Sequence, residues 1–491
     1  MCSILHKEKK CSIVHNRFRS SPIRSVLPNL PKCLTQPSKA ARLFEQFSLS
    51  PAGDQAFSRI GKISVEAVFS VSCRMDIVKE TTPGGVPTIA EELPVPARDN
   101  EPAQAIEPAA SQLQVKEKEQ LQVKDEKEQG KIREARVEDY TQIAAVSRRN
   151  GLGFKSEEQW RHLWLESPVF RRVKDWPLGW VAVTADDQVV GYMGNVIISF
   201  SFQGEELICG CPFGMAVDPP YRRLAGFMGR RFMSQKNAQI EILTSANSNS
   251  SPLAEMLRSI RVPVGDWDHS VYWITNNRGF AACALAMKKL PRALAYPAAV
   301  AMSVKSKFTG APFRAASGRV PLTEYCTFDE SFERFWQDLK TAYPQRLLAD
   351  RSREGLLWHF KFALQQNRVW ILTTGSGSRI SAYAIFYRHD NPAIGLKRMR
   401  LIDFQTLDGN VEVLAPMLAW AHERCKREGI DMLEAYGFRP EKEAVIESLR
   451  PLRRRLPAWF YFYYTRNKAL APVLADPNIW DPCHFDGDSS L

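Results

Sequence analysis

The sequence predicts an α/β protein (α+β in its element order) with two mixed β-sheet domains in tandem, preceded by a disordered N-terminal region. The prediction comes from two observations. Residues 75–130 are rich in Pro and Glu, a composition that buries too little apolar surface to offset the entropy lost on folding. From residue 131 onward, helical and strand periodicities alternate, and a similar order of elements occurs over 131–276 and again over 321–470.

The first 130 residues are expected to be disordered. Residues 1–74 hold 12 Lys or Arg against 4 Asp or Glu and lack the apolar segment of a secretory signal. They are interpreted either as a transit-like leader or as an extension upstream of a natural start at Met75. A near-repeat, LQVKEKEQ at 113–120 and LQVKDEKEQ at 121–129, belongs to a low-complexity arm.

Composition argues against several classes of protein. The formal net charge is +12, but residues 1–74 supply +8 (12 − 4), so the remaining chain carries only +4 and does not indicate nucleic-acid binding. No apolar run reaches the roughly 18 residues of a transmembrane helix. The ten cysteines include no CxxC pair and no His/Cys ligand spacing, so we expect no metal site and a reduced, cytoplasmic protein.

For the first domain, 131–276, the sequence predicts a strand, two helices, an antiparallel meander, a helix, a strand, a helix and a final strand. These elements are expected as strands at 132–136, 180–184, 189–201, 205–209, 214–217, 240–245 and 271–274, and helices after 137, at 156–166, from the turn at 222–226 to 237, and at 252–260.

The second domain, 321–470, is expected to repeat this order of elements. It follows an Ala-rich helical linker at 277–320, for part of which (279–304) a membrane-surface helix is the alternative. Its expected elements are helices at 328–341, 353–364, 411–428 and 440–449, and strands at 369–374, 379–387, 399–405, 432–435 and 459–464. Residues 471–491 are expected to form a C-terminal tail.

The most informative stretch is Phe213–Met233, FGMAVDPPYRRLAGFMGRRFM. Pro219 and Pro220 must end the preceding strand, because proline cannot donate to the sheet ladder. The turn that follows, Arg222 to Gly226, leads into a helix. The unpaired N–H groups and positive dipole end of that helix suit a phosphate or pyrophosphate.

This stretch resembles motif A of the GNAT-type acyltransferase superfamily. Val217, Pro219, Tyr221 and Arg222 match the approach V-x-P-x-Y-R, and R-L-A-G-F-M places Gly226 correctly within R-x-x-G-x-G/A. Met228 stands where the last small residue belongs. The element order of 131–275 is also similar to the GNAT order, whereas the second domain lacks the Arg/Gly turn and is expected to be degenerate.

The resemblance implies transfer of an acyl group from an acyl-CoA, most simply acetyl-CoA, to an amine. The implied phosphate grip comprises Arg222, Arg223, Leu224, Ala225 and Gly226. Backbone N–H groups of Met215, Ala216 and Val217 would polarise the acyl carbonyl. Asn247 and Asn249 either bind the cofactor amide or cap the next helix.

The catalytic base is the least determined role. Candidates are His269 and Asp266, in the sequence GDWDHS, and Glu205 in the hairpin before the strand at 214–217. A hydrogen-bonded loop is the alternative for the first two. Pro252 and Met256 stand where family members commonly have alanine and tyrosine, which puts thiolate protonation by a side chain in doubt.

The expected acceptor is a small metabolite, a sugar amine or a peptide, without a specific nucleic acid. Two rival functions stay open at this point. A non-catalytic GNAT-fold binding protein would be favoured if Met228 filled the cleft beside the 214–217 strand. A Fem-type aminoacyl transferase acting on a cell-wall precursor would be favoured by a continuous basic stripe across both domains.

Overall fold

The computed structural model describes residues 130–308, 313, 320–377 and 379–491, without the side chains of 305–308. It confirms a mixed α/β fold with two mixed sheets. The predicted disordered N-terminal region with its near-repeat lies outside the described residues, as does most of the loop expected at 305–320.

Among the described residues, the first half of the chain contains seven strands and six helices. The strands are β1 (Lys131–Glu134), β2 (Gly179–Val183), β3 (Val189–Phe202), β4 (Glu205–Val217), β5 (Ile240–Leu243), β6 (Ile260–Arg261) and β7 (His269–Ile274). The helices are α1 (Tyr140–Arg149), α2 (Glu157–Leu165), α3 (Leu224–Met233), α4 (Ser251–Met256), α5 (Asn277–Met287) and α6 (Ala295–Phe308). The two strands expected at 205–209 and 214–217 are one continuous strand, β4.

The second half repeats this order. Its strands are β8 (Thr323–Tyr325), β9 (Leu348–Ala349), β10 (Val369–Ser376), β11 (Arg379–Arg388), β12 (Arg398–Thr406), β13 (Met432–Ala435), β14 (Leu452–Arg455) and β15 (Phe462–Tyr464). Its helices are α7 (Glu330–Ala342), α8 (Arg353–Gln365), α9 (Leu414–Glu428), α10 (Pro440–Ser448) and α11 (Leu470–Leu474).

The two sheets have corresponding strand orders. The first is β1-β2-β3-β4-β5-β15-β6, with β9 paired to β3, and the second is β8-β10-β11-β12-β13-β7-β14. Each sheet is antiparallel except for one central parallel pair, β4 with β5 and β12 with β13. The arrangement of strands around one central parallel pair is therefore present twice.

The halves exchange strands reciprocally. Strand β7, from the first half, pairs with β13 and β14 in the second sheet. Strand β15, from the second half, pairs with β5 and β6 in the first sheet. The strand pairing therefore crosses the predicted boundaries at 276 and 321, which stay a prediction, and neither sheet is complete without the other half of the chain.

The two connections that carry the exchange run side by side. Residues 262–268 lead into β7 and residues 456–461 lead into β15, and backbone bonds join them: the N–H of Val262 donates to Tyr461 O (3.1 Å) and that of Leu456 to Asp268 O (2.6 Å). Between them Trp267 is fully buried, 4.8 Å from the Tyr461 ring centroid. Trp267 thus fills the space where the two connections pass each other, called the crossing here.

The segment expected as a C-terminal tail, 471–491, contributes several side chains to the main core. Trp480, Cys483 and Phe485 are buried in the main core, and Lys442 Nζ donates to Asp481 Oδ1 at 2.6 Å. Arg351, itself fully buried, lies 3.6 Å from Asp486. Buried charges are kept only where partners offset their desolvation, so these ion pairs fix the path of the segment between the sheets.

Gly437 provides a test of the crossing. Its φ is +79°, and a Cβ would lie 2.5 Å from the Trp267 ring. We expect Gly437→Ala to lower the free energy of unfolding by about 3 kcal/mol or more, because the left-handed backbone and the ring contact are both penalised. Denaturant unfolding monitored by tryptophan fluorescence measures the loss.

Gly429→Ala is the matched control. Gly429 also has a left-handed φ of +63°, but a Cβ there would meet nothing within 4 Å. It should cost only the backbone term of about 1–2 kcal/mol. Equal losses in the two variants would show that the Trp267 contact does not hold the crossing.

Candidate functional site

Strands β4 and β5 diverge soon after they meet. Their parallel pairing consists of two residue pairs, Cys209 with Ile240 and Gly210 with Glu241. Strand β4 continues to Val217 and β5 to Leu243 without further pairing to each other among the described residues. The gap between the diverging strands is called the splay here.

A β-bulge shapes the β4 side of the splay. Tyr192 of β3 pairs with Ala216, but Gly194 pairs with Phe213, so β4 has one extra residue at this point. Gly214 lies in the bulge with φ +62°. Bulges redirect backbone groups and are frequent beside active sites. The predicted carbonyl-polarising segment from Met215 to Val217 starts in this bulge and rejoins the β3 ladder at Ala216.

Strand β4 leads directly into the predicted Arg turn. Pro219–Tyr221 forms a 3₁₀ turn, and α3 begins at Leu224 without a side-chain cap. Arg222 and Arg223 are exposed beside this helix N-terminus, and no acidic residue lies in its first turn. Backbone N–H groups at an uncapped helix start, with two guanidinium groups beside them, suit an anionic phosphate group.

The glycine and methionine positions of the predicted motif have distinct surroundings. A Cβ at Gly226 would meet only the Met256 methyl, at 3.8 Å, so the backbone here is open on one side. The Met256 side chain is 64% exposed. Met228 is fully buried in a cluster with Trp180, Val190 and Phe232, under α3. It is a core residue of the helix–sheet interface.

The C-terminal segment occupies the base of the splay. Asp488 accepts hydrogen bonds from Thr244 Oγ1 (2.9 Å) and Ser245 Oγ (2.6 Å), just after β5, and its Oδ1 lies 3.8 Å from Cys211 Sγ on β4. Lys155 Nζ donates to the main-chain oxygen of Leu491 at 2.8 Å. A carboxylate and an ammonium group therefore lie where the strands separate, while β4 beyond Phe213 continues past them.

Burial shifts the pKa values of Asp488, Lys155 and Cys211. It raises the pKa of Asp488, although the hydrogen bonds from Ser245 and Thr244 act in the opposite direction. It lowers the pKa of Lys155. It also raises the pKa of Cys211 well above the usual range, so that thiol stays protonated and is a poor nucleophile. Asp488 is thus the group best suited to accept a proton in the splay.

Aromatic side chains cover the bulge. A Cβ on Gly214 would approach the rings of Phe154 and Tyr192 at 3.8 Å each. The Tyr192 hydroxyl accepts a hydrogen bond from Trp160 Nε1 at 3.1 Å, which fixes the ring. Lys155 lies 5.8 Å from the centroid of Phe213. The loop between α1 and α2 therefore forms one wall beside the bulge.

The other predicted cofactor residues form a turn. Asn247 Oδ1 accepts from the N–H groups of Asn249 (2.9 Å) and Ser250 (3.1 Å), ahead of α4. This is an Asx turn, as in the alternative given for the sequence, although Ser250, the N-cap residue of α4, makes no side-chain capping bond. Both side chains are exposed, and a role in binding a cofactor stays a prediction.

The contacts of the three predicted catalytic residues lie away from the bulge. Glu205 pairs with Phe202 at the hairpin, nine residues before Gly214, which is about 30 Å along the strand. His269 opens β7 in the second sheet, with Nδ1 2.8 Å from Asp268 Oδ1. Asp266 lies 3.6 Å from Arg453. Asp266 lies in the loop before β7 and His269 at the first position of that strand, so both belong to the hydrogen-bonded segment that the sequence left as an alternative.

Asp488, Thr244 and Lys155 were missed by sequence reasoning. The available signal was the run His484-Phe485-Asp486-Gly487-Asp488, since two acids beside an aromatic residue are unusual in a solvated tail. Gly487 in this run allows the close approach to β5, because a Cβ there would lie 2.3 Å from Thr244 Oγ1. Nothing in the sequence pairs this run with residues about 240 positions earlier.

The search of solved structures found distant similarities. The chain is similar to N-myristoyltransferase from Saccharomyces cerevisiae with bound myristoyl-CoA: 10% identity over 68% of this chain and 79% of that one, TM-score 0.44. It is also similar to GCN5-related N-acetyltransferases from Kribbella flavida (11%, 70% and 72%, TM-score 0.43) and Anabaena variabilis (14%, 69% and 73%, TM-score 0.41). No protein-family model and no curated relative match the sequence.

Glu241, at the last β4–β5 pair, gives a pH-dependent prediction. It is 1% exposed, neither carboxylate oxygen has a hydrogen-bond partner among the described residues, and burial raises its pKa to about 8, against the charge of Arg466. A carboxyl whose folded pKa is raised loses stability as pH rises from its unfolded pKa toward the folded one. We expect a loss on the order of 3 kcal/mol between acid pH and pH 7.

Glu241→Gln should remove this loss. Relative to the wild type, the variant should gain free energy of unfolding at pH 8 and gain much less at pH 5. Chemical denaturation of both proteins at the two pH values measures the difference, and other titrating groups cancel in the comparison. An equal offset at both values would mean that Glu241 does not bind a proton on folding.

Proposed function

We propose that this protein is an N-acyltransferase that moves an acyl group from an acyl-CoA to an amine. The observation that carries the proposal is the continuous path from the splay and bulge of β4 into the uncapped start of α3. A gap between diverging parallel strands that leads to an anion-suited helix terminus fits an elongated thioester with a diphosphate at one end.

The donor would lie along β4. Arg222 and Arg223 would hold the diphosphate together with the backbone N–H groups of Leu224 and Gly226, since the N–H of Ala225 already donates to Arg222 O at 3.1 Å. The acyl carbonyl would lie at the bulge, where backbone N–H groups from Met215 to Val217 can bond the oxygen as negative charge develops on it. Met256, beside Gly226, would contact the apolar part of the cofactor arm.

The reaction needs a proton acceptor for the amine. A neutral amine nitrogen forms the new C–N bond, the C–S bond breaks, and coenzyme A leaves as a thiolate. Asp488 would accept the proton that the nitrogen loses and can return it to the thiolate sulfur, which balances the reaction. This role replaces the one predicted for His269, Asp266 and Glu205.

The acceptor would reach the bulge past Phe154 and Lys155. A small-molecule or sugar amine is the acceptor class we propose, and an acetyl group is the simplest acyl group. The burial of Met228 under α3 fails to support the rival binding protein, which needed that side chain in the cleft. Asn247 would then order the turn ahead of α4 beside the cofactor.

Removal of the two arginines tests the proposal. We expect acetyl-CoA or a longer acyl-CoA to bind the full-length protein, and Arg222→Ala with Arg223→Ala to weaken binding about tenfold or more, because two charge-assisted contacts to phosphate are lost. Isothermal titration calorimetry measures both dissociation constants.

The control uses the other end of the same helix. Arg230→Ala with Arg231→Ala removes the same charge from the last turn of α3, where the dipole disfavours anions. This variant should bind like the wild type. An absence of binding by the folded wild type to any acyl-CoA, or equal weakening in both variants, would contradict the proposed site.

Asp488→Asn tests the proton acceptor. With an amine found by screening for release of the CoA thiol, kcat should fall about 100-fold or more, while the affinity for acyl-CoA is retained. The wild-type rate should fall as pH drops through the raised pKa of Asp488, and this fall should vanish in the variant. Stopped assays across pH measure both.

Ser245→Ala is the matched comparison. It keeps the carboxylate but removes one hydrogen bond that favours its charged form, so its pH profile should shift upward with a smaller loss of kcat. Melting curves and CoA titration establish that both variants fold. A wild-type pH profile in Asp488→Asn would exclude Asp488 as the proton acceptor.

A further inference from the structure

Helices α5 and α6 form an Ala-rich hairpin with two different faces. On one face of α6, Ala298 and Ala299 are buried against Ala281 of α5. On the other, Tyr296, Val300 and Val304 follow one another at intervals of four, which places them on one side of the helix. The hairpin is thus packed through alanines and exposes larger apolar side chains.

The exposed side chains form a continuous group in the chain, called the apolar stripe here. Its members and exposures are Leu290 (43%), Leu294 (47%), Tyr296 (69%), Val300 (47%) and Val304 (47%). They are five of the ten large hydrophobic residues exposed in the described chain, all within residues 290–304. Such clustering marks an interaction surface, whereas single exposed residues do not.

The charge around the stripe is of one sign. Lys288, Lys289 and Arg292 are exposed at the turn of the hairpin. From His269 to Thr323 the sequence holds eight Lys or Arg and no Asp or Glu. Residues 130–491 hold 48 Lys or Arg against 38 Asp or Glu, a net charge of +10 (48 − 38), so the other residues of that range carry +2 (10 − 8). Most of the net positive charge of residues 130–491 therefore lies in the part of the sequence that contains the apolar stripe.

We propose that the hairpin docks on the surface of a membrane that contains anionic phospholipids. The apolar stripe would enter the boundary between headgroups and acyl chains, and Lys288, Lys289 and Arg292 would contact headgroup phosphates. Helix α6 has 14 residues, and none of the described helices is long and apolar enough to cross a bilayer. The docking is therefore at the surface.

Charge favours a lipid surface over a protein partner. Protein interfaces are depleted in lysine, whereas membrane-surface helices place Lys and Arg beside large apolar residues. This inference is independent of the proposed acyl transfer, since none of the stripe residues belongs to the splay.

Co-sedimentation of the full-length protein with vesicles tests the proposal. The probes are vesicles of phosphatidylglycerol mixed with phosphatidylcholine, and of phosphatidylcholine alone. We expect binding to the anionic vesicles that weakens as salt is added, with weak binding to the neutral ones. Hydrogen exchange should slow in 288–304 on the anionic vesicles. A wild type that stays in the supernatant of both would overturn the proposal.

Two variants separate the hairpin from the basic residues 1–74. Tyr296→Ser with Val300→Ser and Val304→Ser should weaken partitioning about tenfold or more, because apolar area no longer leaves water. Lys288→Glu with Lys289→Glu should also weaken it more than about tenfold. Because all five side chains are exposed, the variants should fold, and melting curves check this.

Matched controls use exposed residues outside the hairpin. Leu165→Ser removes an exposed apolar side chain, and Arg427→Glu with Lys468→Glu makes the same change of charge. Both should bind like the wild type. Binding that persists unchanged in both hairpin variants would assign it to another part of the chain and overturn the proposal. A dimer in light scattering that the Tyr296 variant abolishes would assign the stripe to a second copy of the chain instead.

Discussion

The reciprocal exchange of β7 and β15 is the constraint on which the rest of the structure depends. A short central strand has to hydrogen-bond on both edges, and here β15 lies between β5 and β6 while β7 lies between β13 and β14. The two connecting segments must pass each other in the middle of the molecule. Trp267 fills that passage, and Gly437 leaves the space for its ring.

The exchange also determines where the chain goes after its last strand. Because β15 belongs to the first sheet, the following residues leave from there and pack against the second, where Asp403 holds Arg351 through two hydrogen bonds (2.8 and 3.1 Å). Burial alone would raise the pKa of Asp403, but Arg351 lowers it to about 2, so the carboxylate stays charged and keeps the guanidinium in place. Asp488 then reaches the splay of the first sheet.

The proposed site therefore combines local and distant contributions. The bulge and the start of α3 come from one continuous stretch, whereas the proposed proton acceptor comes from the far end of the chain. An acid delivered by a separate segment can be buried without breaking a strand, because its hydrogen bonds come from Thr244 and Ser245 just beyond β5. The apolar stripe lies in a different part of the fold and adds a surface property, with no contribution to the splay.

Local sequence was enough to predict the longer elements and the anion-suited turn. Apolar periodicity predicted most of the longer helices and strands of both halves, but not the short strands β6, β8, β9 and β14. Pro219 and Pro220 predicted where β4 ends, because proline acts on its own segment of chain. The Arg222–Gly226 turn could be recognised for the same reason. The sequence could not determine which sheet β7 and β15 join. Their pairing partners lie more than 150 residues away, and the side chains of each strand suit either sheet.

The partners of residues far apart in the sequence depend on the tertiary fold. It placed Glu205 at the far end of β4, although the residue is close to the bulge in sequence, because an extended strand separates its ends. It also brought Asp488 to Thr244, which no local pattern indicates. Burial, which sets the pKa of Asp488 and of Glu241, depends on how the two halves enclose a residue, and this information exists only in the folded chain.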